Sequence, residues 1–221
     1  MTAPETSLQL VELLASLLLL LSFAMLAQRR IASLVNLFAL QGAVLTASTA
    51  AVAASAGLHH LYYSAALTLV LKVLLLPVFL RRLVVRLGLQ WDTESLVAIP
   101  LQMLIGLGLV IFAFGLAQPI SQFGHEITRQ TLGIALAMVL LSLLMMIGRR
   151  KAVSQVVGFL ALENGLVFAA TTATQGMPMV VEFGIALDVL VGAVILGVFF
   201  FQIREQFDSL ELKHLERLRE E

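Results

Sequence analysis

Three ionisable residues stand inside long apolar runs of the chain: Lys72 in LYYSAALTLVLKVLLLPVFL, Glu163 in VSQVVGFLALENGLVFAATTA and Asp188 in VVEFGIALDVLVGAVILGVFFF. A fourth polar residue, Gln41, sits in IASLVNLFALQGAVLTASTA. A charged side chain at the centre of a bilayer costs about 2.5–3.5 kcal/mol on insertion scales, and such residues mark ion or proton pathways. A carboxylate held away from water keeps its charge only at a cost, so it can take up and release a proton as its surroundings change. Lys72 can neutralise one of the two acids as an ion pair. The other must be protonated, hydrated, or paired with a neighbouring subunit. This pattern suits proton movement across the membrane, with Asp188, Glu163, Lys72 and Gln41 as its residues.

The elements that would position these groups are membrane helices. Of the 221 residues, 60% are hydrophobic and 13% charged, against about 45–50% and 25% in soluble domains. About 20 apolar residues cross a hydrocarbon core. Seven spans are expected, at 8–27, 31–57, 61–80, 95–117, 130–148, 152–174 and 179–203, giving an all-α polytopic membrane protein. The first is read as a span and not a signal peptide, because Glu5 and no basic residue precede it, and Arg29-Arg30 follow it where a cleavage site would stand.

Alternate connections hold Arg29-Arg30, Arg81-Arg82-Arg86, Arg149-Arg150-Lys151 and the tail bases Arg204, Lys213, Arg217 and Arg219, while the opposite connections hold Arg129 alone. The positive-inside rule then predicts an outer N-terminus and a cytoplasmic C-terminus. Pro77 denies the carbonyl of Val73 its helical donor, so a bend is expected beside Lys72. Pro100, near Gln102, predicts a second kink. The tail 205–221 has the pattern of a short amphipathic helix. From Arg204 onward six acids oppose four bases, a balance that suits a cytoplasmic protein partner better than an anionic membrane surface.

The formal net charge is zero, which gives no support to nucleic-acid binding. The chain has no cysteine, which excludes disulfides and thiolate-held iron–sulfur clusters within it. The four histidines, His59, His60, His125 and His214, fall between or beyond the spans. No catalytic, cofactor-binding or metal residue is predicted, so the chain is expected to hold no cofactor and to be a non-catalytic component.

AQRRIASLVNLFALQGAVL at 27–45 can be laid over GRRKAVSQVVGFLALENGLV at 148–167, placing Gln41 opposite Glu163. Leu71-Lys72-Val73-Leu74 likewise matches Leu187-Asp188-Val189-Leu190. This predicts a parallel repeat of three helices, a linker helix and three helices. The regions are 1–90 for the first repeat, 91–125 for the linker helix and outer loop, 126–204 for the second repeat, and 205–221 for the tail.

Residues 130–204 resemble the K-type small subunit of respiratory complex I. The double basic step Arg149-Arg150, then Gly158, Asn164, Asp188 and Gly192, fit that family's pattern. Asp188 falls at its second buried acid. Its first buried acid falls at Leu160, and Glu163 lies three residues later. Over nearly its full length the chain is similar to hydrogenase-4 component E. The resemblance implies a membrane subunit of a group 4 energy-converting hydrogenase-type complex in a bacterial or archaeal plasma membrane. Its implied neighbours are antiporter-like and quinone-site-like membrane subunits and a peripheral cytoplasmic hydrogenase-type arm.

Other readings are a purely structural assembly subunit and a seven-helix small-molecule carrier. Interhelical polar contacts in membranes average about 0.6 kcal/mol, which is little against the cost of inserting two acids and a lysine. A sugar carrier would show Pro-Gln motifs in matching helices, and here only Gln118-Pro119 occurs, reversed and in a loop. Glu12 and Glu182 lie near span ends and are taken as structural. Gly184, Asp188 and Gly192 share one face and would allow close helix contact there.

Overall fold

The computed structural model describes residues 3–56, 59–86, 97–119 and 126–173. The seventh expected span, with Asp188, Gly184 and Gly192, and the tail lie outside the described residues. Those described are helical, with short connections. They form α1 (Ala3–Ala27), α2 (Ile31–Ala56), α3 (His59–Thr68), a π-helical segment (Leu69–Leu75), α4 (Leu76–Arg86), α5 (Ile99–Ala117), α6 (Glu126–Gly148) and α7 (Ala152–Ala173). Five stretches are long and apolar enough to cross a membrane: Gln9–Ala27, Ile31–Ala54, Ile99–Ala117, Gln130–Gly148 and Ala152–Thr172. Among the described residues the secondary structure is all helix, and five of these helices have the length and apolarity of membrane spans.

Two hairpins, α1–α2 and α6–α7, pack side by side, with α1 against α6 and α2 against α7. Both run in the same direction. Arg149, in the turn between α6 and α7, donates from Nη2 to the carbonyl of Leu26 at 3.0 Å and also to the carbonyl of Gln28. The α1–α2 turn and the α6–α7 turn therefore lie at the same end. Arg81 of α4 reaches Asn36 Oδ1 near the start of α2 at 2.6 Å, which brings α4 to that end too. The basic residues of three connections thus lie at one end of the bundle.

The core between the hairpins is apolar. Ala15, Leu18 and Leu21 of α1, Val44 and Leu45 of α2, Ile134, Ala135 and Met138 of α6, and Phe168 of α7 form one buried cluster. Helix α5 lies outside it, against α6 and α1. The α3–π–α4 run packs on the other side, along α2.

Two prolines behave differently from one another. Residues 59–86 are helical throughout, but Leu69–Leu75 take the wider π turn, and the amide of Leu76 donates to the carbonyl of Leu71, five residues back. Pro77 has no amide hydrogen to give Val73. The expected disturbance beside Lys72 therefore takes the form of a π segment that contains Lys72. Pro100 makes no kink within a span. Helix α5 begins at Ile99 and Pro100 stands in its first turn, where an amide hydrogen has no helical acceptor to lose.

Candidate functional site

Lys72 and Glu163 meet inside the bundle. Lys72 Nζ lies 3.8 Å from Glu163 Oε1, and both side chains are 0% exposed. That distance is an ion pair, but it is longer than a hydrogen bond. Lys72 comes from the π segment and Glu163 from the middle of α7. Two features let them approach. The π turn re-aims the side chains that follow it, and such turns are frequent at functional sites. Gly42 on α2 lets the π segment come close, since a Cβ there would stand 3.1 Å from Lys72 Cβ and 3.5 Å from the Lys72 carbonyl oxygen.

Gln41 belongs to the same site but not to the ion pair. Its Oε1 accepts from Asn164 Nδ2 at 3.0 Å. Its Nε2 donates to Ser22 Oγ at 3.0 Å, and Ser22 donates in turn to the carbonyl of Leu18 at 3.0 Å. Gln41 and Asn164 are 0% exposed and Ser22 5%. This chain of bonds joins α7 to α2 and α1 at the level of the charged pair. Gln41 is bonded at both ends of its amide, and none of the three residues titrates. Gln41 therefore holds α7, and with it Glu163, in place. Gly165 supports the same position from the α6 side, where a Cβ would stand 3.1 Å from Val139 Cγ2 and 3.3 Å from the carbonyl oxygen of Ala135.

Of the four predicted site residues, the structure brings together Lys72, Glu163 and Gln41. Asp188 lies outside the described residues. The sequence left open which acid Lys72 balances; among the described residues, Glu163 stands beside it.

Three contributors were missed in the sequence. Ser22 is a single hydroxyl in the run LLLLLSFAML, and that isolation was its only signal. Asn164 stood out through the complex I resemblance, with no partner assigned. Arg149 was counted as a topogenic charge, yet it is 1% exposed and bonds the final carbonyls of α1. Those carbonyls carry the negative end of the helix dipole, which offsets the cost of burying a guanidinium. Gln102, noted beside Pro100, is 1% exposed and packs against Gly148, where a Cβ would clash with its Nε2. A groove of about 730 Å³ between α1, α5 and α6, lined in part by Phe23, Phe114 and Gln130, includes neither Lys72 nor Glu163.

The uncharacterized protein Rv0085 of Mycobacterium tuberculosis is 34% identical to this chain over 212 residues, covering 96% of each. The chain belongs to one family with that protein. Hydrogenase-4 component E of Escherichia coli K12 is 22% identical over 214 residues, covering 97% of this chain and 99% of that one. The protein of the same name from Shigella flexneri matches to the same extent. No family model matches the chain, and no solved structure does. The similarity to hydrogenase-4 component E spans nearly the whole of both chains.

Proposed function

We propose that this chain is a membrane subunit of a hydrogenase-type complex related to respiratory complex I, and that it moves protons through Glu163, Lys72 and Asp188. The observation that carries the reading is the Lys72–Glu163 pair, fully buried at 3.8 Å within a membrane bundle. Desolvating two charges costs several kcal/mol per ion and is not recovered as stability. A purely structural contact could be made by apolar side chains at lower cost.

Full-length similarity to hydrogenase-4 component E supports the place in a multi-subunit complex. The expected neighbours are antiporter-like and quinone-site-like membrane subunits and a peripheral cytoplasmic arm, with the tail 205–221 docking on that arm. The parallel hairpins support the repeat: α1 pairs with α6, α2 with α7, and Gln41 and Glu163-Asn164 stand at matching depths. The gathering of basic turns at one end supports an outer N-terminus. Asp188 is assigned as the second relay acid, with compensation from a proton, water or a partner subunit. Gln41 is a positioning residue, because its amide is fully engaged with Asn164 and Ser22.

Tagging the chain and purifying it from native membranes tests this reading. Antiporter-like membrane chains and a peripheral arm are expected to co-migrate with it. A monodisperse monomer from native membranes would contradict it.

A further inference from the structure

The buried pair lies between two ends of unequal character. Toward the arginine turns, the fully buried side chains on the flanking helices are apolar: Leu34 and Phe38 on α2, Val157 and Leu160 on α7, Leu76 and Leu80 on α4. Ser154 of α7 is buried as well, but it is nine residues from Glu163 and so on the opposite face of the helix. Toward the other end, hydroxyls are buried among the apolar groups. Ser48, Thr49, Thr68 and Thr171 are 1%, 2%, 6% and 3% exposed.

Their spacing ties them to the site. Ser48 is seven residues beyond Gln41, two turns or about 10 Å along the same face of α2. Thr68 stands four residues before Lys72. Thr171 is seven residues beyond Asn164, again two turns along one face of α7. Thr49 donates to the carbonyl of Leu45 at 3.0 Å and Thr171 to that of Val167 at 3.0 Å, the usual accommodation of a hydroxyl within a helix. Ser48 differs from them: its Oγ is buried and makes no hydrogen bond among the described residues. A buried hydroxyl is expensive to leave unmatched, so Ser48 calls for a ligand that the described residues do not supply.

We infer that Ser48, Thr49, Thr68 and Thr171 line a water route by which protons reach the Lys72–Glu163 pair from the end opposite the arginine turns. The inference rests on the proton-moving role proposed above. Phe38, Leu34, Val157, Leu160 and Leu80 keep the pair closed toward the arginine turns. Access to the pair is therefore one-sided within this subunit, and passage onward needs Asp188 or a neighbouring subunit.

The chain contains no cysteine, so label found on this chain reports a single introduced cysteine. Ser48→Cys, in the assembled complex in sealed vesicles, is treated with a membrane-impermeant, water-soluble thiol reagent from either side. Arg30→Cys marks the arginine side and Leu160→Cys the closed region. Ser48→Cys is expected to react from the side away from Arg30, at least about tenfold faster than Leu160→Cys, because the reactive thiolate forms only where water reaches the sulfur. If Ser48→Cys does not assemble, Thr171→Cys carries the same test and the same expectation. Reaction from the Arg30 side, alone or in addition, overturns the inference, and so does reaction from neither side. Labelling reads access alone, whereas proton uptake by Glu163→Gln reads the proposed role. The two can therefore fail separately.

Discussion

Removing Lys72 alone should cost far more stability than removing it together with Glu163. Both side chains are fully buried and 3.8 Å apart. At that separation, with an effective dielectric of about 20, their attraction is about 4 kcal/mol. Lys72→Met leaves Glu163 in the bundle without its cation, and breaking a buried pair from one side costs about 3–5 kcal/mol. Replacing both with methionine removes the charge and its desolvation together, a change that is often neutral or stabilising. The purified complex in detergent provides the assay. Its thermal midpoint is compared for the parent, Lys72→Met, Glu163→Met and the double variant, with proton translocation recorded alongside. Each single variant should lower the midpoint clearly, while the double variant should recover most of the loss and remain unable to move protons. If the double variant loses as much as the two singles summed, the residues are not coupled and the pair described here is wrong.

Three further outcomes are expected. Gly42→Val should push the π segment away from α2, because even a Cβ there lies 3.1 Å from Lys72 Cβ. Translocation should fall with Lys72 and Glu163 unchanged, whereas Gly42→Ala needs a shift of only a few tenths of an ångström and should retain activity. Arg149→Met removes the charged bonds to the carbonyls of Leu26 and Gln28, each worth about 1.5–3 kcal/mol, so proteolysis should open the α1–α2 turn in the variant before the parent. Asp188→Asn keeps the shape of the residue and removes its titration. The complex should assemble normally, as judged by native gel, and lose proton movement.

Five of the seven expected spans, at Gln9–Ala27, Ile31–Ala54, Ile99–Ala117, Gln130–Gly148 and Ala152–Thr172, were legible because apolar length is a local property of the chain. The bend beside Lys72 was legible from Pro77, since a missing amide hydrogen acts on the residue four positions back. Its form was not: seven residues of π helix depend on what packs against α2 at Gly42. The partner of Lys72 was ambiguous, because two acids stand in long apolar runs and the local sequence does not say which a distant helix brings to the lysine; among the described residues that acid is Glu163. Arg149 was misjudged for the same reason. Its bonds reach across 123 and 121 residues, and nothing in the run GRRKAV distinguishes a buried arginine from its exposed neighbour Arg150. Pro100 misled because a proline inside an apolar run looks like a kink unless the start of the helix is known.

Proton uptake by Glu163→Gln in reconstituted vesicles tests the central claim most directly. Glutamine keeps the size of the side chain and cannot carry a proton, and the complex is verified as assembled in the same preparation. The account predicts that proton uptake falls to the level of protein-free vesicles. Uptake at the parent rate in an assembled Glu163→Gln complex would contradict it and leave the buried pair as a structural contact.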